Sequence, residues 1–183
     1  MRSYLFEVAG NPFAKQRART LRTGRSYTPK ETVMYENLVK TSFVSKYPDH
    51  VPTDKPCALC VLAVYPIPTS WSKKKKIAAS EGVIAPTKHD VDNVLKIISD
   101  GLNGVAWSDD KQVFAAYVKK KYGERPCVTV LWFDYDDEDM KKVQGKATEG
   151  VKSFSIELGA QYYLHPGKRL QPFVGANIFY GRE

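Results

Sequence analysis

Two rhythms of apolar residues run along the chain. SYLFEV (3–8), CALCVLAVYPIP (57–68), QVFAAYVKKKYG (112–123) and CVTVLWFDY (127–135) are short apolar or alternating runs bounded by Gly or Pro, which predicts strands. Between Lys30 and Tyr47, Val33, Met34, Leu38, Val39, Phe43 and Val44 recur at helical spacing, and Pro48 closes the segment. After Asp92, the residues Leu95, Ile98 and Leu102 form one stripe at i, i+3, i+7. Asp90 or Asp92 stands in the capping position of that helix, and Gly101 and Gly104 are expected to break it. Residues 71–80 predict a further short helix that opens on Lys73, Lys74, Lys75 and Lys76. Lysines there oppose the helix dipole, a cost that either a phosphate or plain solvent offsets. The stretch KQRARTLRTGRSYTP (15–29) reads as a basic loop or hairpin.

The resulting order is β, basic loop, α, β, basic segment, α, β, β. It predicts an α+β fold, a small mixed β-sheet packed with helices. That domain spans 1–136. A charged linker follows over 137–150, and then a β-hairpin extension of unknown role over 151–183. In the extension Phe154, Ile156, Leu158, Ala160, Tyr162 and Leu164 alternate with more polar residues, LHPGKRL turns, and QPFVGANIFYG returns. Its Gly and aromatic usage resembles an outer-membrane hairpin, but one hairpin cannot close a barrel.

Composition narrows the class. With 43% hydrophobic and 26% charged residues, the chain reads as an ordinary globular protein able to bury a core. No apolar run is long enough to span a membrane and no export signal is visible, so cytoplasmic residence is the expectation. Three cysteines argue against a disulfide framework. Cys57 and Cys60 form a lone CxxC on a strand, where their side chains point to opposite faces, so packing is favoured over zinc.

Charge changes the picture more. The chain carries 28 Lys+Arg against 20 Asp+Glu, a net +8, of which residues 1–136 hold +7. Within this basic body, Asp90, Asp92, Asp100, Asp109 and Asp110 crowd into one stretch. A positive field attracts a polyanion, and clustered carboxylates hold a divalent cation against it. Asp92, Lys96 and Asp100 share one helical face at i, i+4, i+8. Asp109 and Asp110 follow a turn that can fold back toward them. Carboxylates at close range repel unless a cation joins them, and oxygen-only ligands suit Mg²⁺ or Mn²⁺. With such an ion the chemistry is phosphodiester hydrolysis, with Lys96 assisting the developing charge or orienting the water. The plainer alternative also stands: Asp92 as a helix cap, Asp100 as a surface residue, and Asp109 and Asp110 as a turn.

The segment K-H-D-V-D-N-V-L-K-x-x-x-D-G-L-N-G-V-A-W-S-D-D-x-Q-V, with SWSKKKK upstream and the early G-N-P-x-x-K-x-R, resembles the RusA family of Holliday-junction resolvases. The likeness covers residues 4–133. It implies a homodimeric endonuclease, of a kind common in phages, that uses Mg²⁺ or Mn²⁺ to cut four-way DNA junctions by paired symmetric nicks in recombination and repair. Carried over by motif position, the metal-binding and catalytic carboxylates fall on Asp90, Asp92 and the Asp109–Asp110 pair. Asp110 is the better match for the third ligand, and the catalytic lysine falls on Lys96. His89 stands where the family often has proline, which is expected to loosen the approach to Asp90 without removing a ligand. The tail beyond residue 136 has no counterpart in the family pattern.

On this reading Lys15, Arg17 and Arg19, with Arg22, Arg25 and Tyr27, and Lys73, Lys74, Lys75 and Lys76, with Trp71, are candidates for DNA-backbone contact. Two other readings compete: a structure-selective nuclease on other branched phage DNA, and a junction-binding protein without catalysis.

Overall fold

The structure, a computed structural model, describes residues 1–141. The chain divides into two units, Met1–Asp136 and Asp137–Glu183. The hairpin expected over 151–183 and most of the 137–150 linker lie outside the described residues.

The first unit is α+β, as the order of elements implied. Strand β1 (Arg2–Ala9) leads through a two-stranded arm, β2 (Arg19–Thr20) and β3 (Ser26–Tyr27), to helix α1 (Lys30–Lys46). Strand β4 (Cys57–Pro66), helices α2 (Lys73–Ser80) and α3 (Val91–Leu102), and strands β5 (Val113–Gly123) and β6 (Cys127–Asp134) follow. Four strands form a mixed sheet in the order β1-β6-β4-β5. β6 is antiparallel to both β1 and β4, whereas β4 and β5 are parallel. A parallel pair requires a crossover, and here the crossover carries α2, α3 and the whole acidic stretch. Helix α3 therefore runs back along the sheet, its head beside the end of β4 and its tail toward the start of β5.

Register decides which side chains face the helices. Phe6 on β1, Val130 on β6, Val61 on β4 and Val118 on β5 stand side by side across the sheet. Trp132 lies one step along, stacked on Tyr4 with ring centroids 4.2 Å apart and edge-on to Trp107 at 5.5 Å. Helix α1 packs against β1 and α3, and α3 against β5. Cys57 is buried and Cys60 half-buried on β4, both as free thiols.

Both long helices sit differently from their expected stripes. In α1 only Thr32, Val39 and Phe43 are buried, while Val33, Met34, Leu38 and Val44 face outward. In α3 the buried set is Val94, Ile97, Ile98, Ser99, Gly101 and Leu102, with Leu95 only half-buried, so the inward face is turned toward Val94 and Ile97. Gly101 does not break α3. A Cβ built on it would lie 2.8 Å from Val39 Cβ and 2.9 Å from the Glu36 carbonyl oxygen, so Gly101 is where α1 and α3 cross most closely. The helix ends one residue later, and Gly104 takes the positive φ of the following turn.

Candidate active site

Asp90 and Asp92 stand at the head of α3. Asp90 is the N-cap residue, with extended backbone, and its side chain makes no capping hydrogen bond; Asp92 lies in the first turn. Both are exposed. The joint before them is more tightly held than the sequence implied. His89 has φ of 63°, a left-handed conformation uncommon outside glycine. Its Nδ1 pairs with the Tyr65 hydroxyl at 3.2 Å, its ring meets Phe13 edge-on at 6.0 Å, and its carbonyl accepts a 2.6 Å hydrogen bond from Lys120 Nζ. Lys120 shares the helix-facing side of β5 with Val118, which is why the middle lysine of Lys119–Lys121 is the one that reaches this joint. Burial, then the charges of Lys88 and Lys120, hold the His89 pKa below its ordinary value against the opposing pull of Asp90. A proline, fixed near φ −65°, cannot adopt this backbone. His89 pins the approach to Asp90 instead of loosening it.

One turn into α3, Lys96 makes two ion pairs: its Nζ is 2.9 Å from Asp100 Oδ1 and 3.0 Å from Asp110 Oδ2. The hydrogen bonds it donates to Asp100 and then Asp110 raise its pKa and outweigh the desolvation that opposes them. Asp110 opens the 3-10 turn Asp110–Gln112 that enters β5. Asp109 is spent on capping that turn. It accepts from the Lys111 N–H at 3.0 Å, while its own N–H donates to Gln112 Oε1 at 2.8 Å. The Gln112 amide is in turn fastened to the carbonyls of Thr53 and Lys55, at 2.7 and 2.9 Å. Of the two adjacent aspartates, Asp110 is the one that faces α3.

The three carboxylates do not form a closed cage. Among the described residues, no group of three or more His, Cys, Asp or Glu side chains is gathered closely enough to hold a metal ion. Topology gives the reason. The His89–Asp90 joint is tied to Lys120, far along β5, whereas Asp110 precedes the first residue of that strand. The head of α3 and the turn that carries Asp110 therefore stand against different parts of β5. Lys96 bridges part of that gap and occupies the Asp110 oxygen. By donor chemistry the residues still suit a hard cation: all three are carboxylates open or half-open to water, and Mg²⁺ commonly takes only one or two protein carboxylates, completing its shell with water and phosphate.

Lys15 departs from its expected place on the DNA surface. Its ammonium turns inward, paired with Glu36 and, at 2.8 Å, with Asp100. Its backbone N–H donates to the Asn93 carbonyl at 2.9 Å. Glu36 did not stand out in the sequence, and Asp100 did so only as a member of the acidic cluster, with a surface position as its plainer alternative. The remaining basic candidates are outward. Arg17, Arg19, Arg22 and Arg25 are exposed along and beside the β2–β3 arm, as are Lys73, Lys74 and Lys75 at the start of α2, with Lys76 half-buried. Lys75 Nζ lies 3.9 Å over the Trp71 ring, and Trp71 meets Tyr122 edge-on, which fastens the head of α2 to β5.

An acid-and-lysine helix beside a mixed sheet, flanked by exposed basic segments, offers carboxylates for a hard cation next to a surface that attracts a polyanion. Residues 9–131 match the family model described as endodeoxyribonuclease RusA. A curated relative, the uncharacterized protein YqaN of Bacillus subtilis (strain 168), is 36% identical over 132 residues, covering 69% of this chain and 92% of its own length. The chain belongs to the RusA family of Holliday-junction resolvases, DNA-binding endonucleases of recombination. Nuclease activity and a junction-resolving role follow at that level, and nucleases of this family generally depend on a divalent metal. Among the described residues, no helix is long and apolar enough to cross a membrane.

Proposed function

We propose that this chain is a Mg²⁺- or Mn²⁺-dependent endodeoxyribonuclease that resolves four-way DNA junctions by paired, symmetric nicks. The observation that carries the reading is the meeting of Lys96 with Asp110 across fourteen residues, on the helix headed by Asp90 and Asp92. A lone helix cap and an unrelated turn have no reason to be joined by the motif lysine.

Asp90 and Asp92 would hold the ion, with Asp110 as the third carboxylate once it leaves Lys96. When bound, the ion supplies an activated water and a counter-charge for the phosphate. Lys96 then places a fixed positive charge beside the phosphate where negative charge develops. The pinned His89 joint holds Asp90 at the head of the helix, and a fixed backbone there limits how far the carboxylate strays. Arg17, Arg19, Lys73, Lys74, Lys75 and Lys76 track the DNA backbone, a contact that positions the duplex without reading sequence. A junction presents two symmetry-related strands and each subunit carries one site, so a two-fold homodimer is the matching assembly.

The test is a synthetic four-way junction incubated with the full chain, with and without Mg²⁺ or Mn²⁺. Metal-dependent paired nicks are expected, and Asp92→Asn should bind the junction without cutting it. Normal cutting by Asp92→Asn removes the mechanism. Faster cutting of flaps or forks than of junctions would move the substrate to other branched DNA, and tight binding that no metal converts to cleavage would leave a junction-binding protein.

A further inference from the structure

Around Lys96 lie charges that neither the carboxylate set nor the DNA contacts use. Glu36 on α1, Lys15 in the loop after β1, Asp100 and Lys96 on α3, and Asp110 before β5 form one continuous chain of alternating sign. We propose that Asp100 is a positioning residue for Lys96, held in place by Lys15 and Glu36, so that the ammonium keeps its location when Asp110 turns away. This rests on the reading of Lys96 as part of the cleavage site.

An exposed i, i+4 pair alone would be a weak tether, because water and side-chain freedom compete with it. Asp100 is not in that situation. Its side chain is only 20% exposed, one oxygen faces Lys96, and the other is taken by Lys15. Lys15 cannot drift, because its backbone N–H is bonded to Asn93 and its ammonium to Asp100, two helical turns apart on α3, while Glu36 anchors it from α1. Burial alone would lower the Lys15 pKa and raise that of Asp100. The pairing reverses both, leaving Lys15 above and Asp100 below its ordinary value, so these two are both charged at neutral pH.

Without Lys15, the partly buried Asp100 is left to Lys96, which is then drawn toward it and away from Asp110. Without the Asp100 charge, Lys96 keeps only Asp110 and moves with it. Either change misplaces the ammonium while leaving the outward basic surface intact.

The experiment compares the full chain with Asp100→Asn, Lys15→Met and Lys15→Arg in three measurements. These are single-turnover nicking of a junction at saturating protein, junction affinity across a salt series, and the ¹⁵N signal of the Lys96 ammonium, assigned by its loss in Lys96→Gln. Asp100→Asn and Lys15→Met should nick about tenfold or more slowly, since misplacing a reacting group costs rate. Junction affinity should stay within about twofold with an unchanged salt slope, because no phosphate contact is lost. The ordered Lys96 signal should be present in the wild type, vanish in those two variants and persist, with most of the rate, in Lys15→Arg. Weaker binding with a salt slope reduced by about one in Lys15→Met would make Lys15 a phosphate contact and overturn the strut. So would wild-type nicking by the variants, or a wild type that lacks the ordered signal. If the wild type cuts no branched DNA, the functional reading fails, while the ammonium signal still decides whether Asp100 and Lys15 hold Lys96.

Discussion

Gly101→Ala tests whether the spacing of α1 from α3 is as tight as the structure requires. The new methyl would lie 2.8 Å from Val39 Cβ, 2.9 Å from the Glu36 carbonyl oxygen and 3.0 Å from Val39 Cγ1. Two of these are backbone or branch-point atoms that no rotamer change moves. Reaching the 3.4 Å at which ordinary contact begins demands a local shift of about 0.6 Å between the helices. Overpacking a buried site costs roughly 1–3 kcal/mol, and replacing a helical glycine by alanine returns up to ~1 kcal/mol through propensity. The net expectation is a loss of about 1–2 kcal/mol, a fall in Tm of roughly 4–8 °C for a unit of this size.

Calorimetry of the full chain measures that fall, and junction cleavage at a temperature where the variant is folded measures its reach. Glu36 is both a clashing residue and the far anchor of Lys15. Moving α1 outward should therefore slow cleavage per folded molecule as well as lower Tm. A Tm above that of wild type would refute the close crossing, since the propensity gain of up to ~1 kcal/mol would then be realised with no overpacking cost against it. A lowered Tm with unaltered cleavage would separate the crossing from the strut.

Four further outcomes follow from particular contacts. Arg2→Ala removes the 3.0 and 2.6 Å bonds from its guanidinium to Asp134, a carboxylate only 1% exposed, leaving it the Arg2 backbone N–H at 3.1 Å. Hydrogen bonds to charged groups are worth ~1.5–3 kcal/mol, and Arg2 is itself well exposed, so chemical denaturation should show a loss of about 1–2 kcal/mol. Asp100 titrates below its ordinary 3.8, so its contribution is present above that value and is lost as pH falls through the lower folded-state pKa. The Tm gap between wild type and Asp100→Asn should thus be constant from neutral pH down to about 5 and narrow as pH falls below the ordinary 3.8; a gap that widens in acid would contradict the pairing. Arg17→Ala with Arg19→Ala should lower the salt slope of junction binding by up to about 2, at roughly 0.9 per phosphate contact. Because proline cannot follow the left-handed backbone at His89, His89→Pro should cut at least about tenfold more slowly than His89→Asn, which tolerates it. Equal rates would mean that the joint does not position Asp90.

Local pattern was enough to find most elements, because alternation and helical period are properties of neighbouring residues. The strands ending at Pro66 and Gly123, the helix opening at Lys30 and the basic hairpin all announce themselves within a dozen residues. Which face of a helix turns inward is another matter, since it depends on what packs there. In α1 the apolar residues Met34 and Leu38 fitted the expected stripe as well as Val39 and Phe43 did, yet only the latter two are buried. Gly101 looked like a stop signal because its use, letting another helix approach, involves Val39 and Glu36, some sixty residues away.

The site shows the same division more sharply. Helical spacing places Asp92, Lys96 and Asp100 on one face, and the fold keeps them there. Spacing cannot tell which of those charges meets water and which meets another element. That was decided by the loop after β1, whose buried Pro12 and Ala14 bring Lys15 against α3 and convert Asp100 from a surface residue into half of a strut. It was decided again by the 3-10 turn, where Gln112 pins Asp109 to the 53–55 segment and leaves Asp110 to Lys96. A basic residue in a basic loop is therefore poor evidence of a DNA contact until its neighbours are known. Lys15 and Arg17 are two positions apart, yet one is spent on two carboxylates and the other faces solvent. Through Asp100 and Lys15, Lys96 is fastened to the same loop that leads into the β2–β3 arm. On the proposed reading, a junction that presses on that arm would bear on Lys96 through Lys15 and Asp100, and coupling between grip and cutting would be a consequence of connectivity rather than an added device.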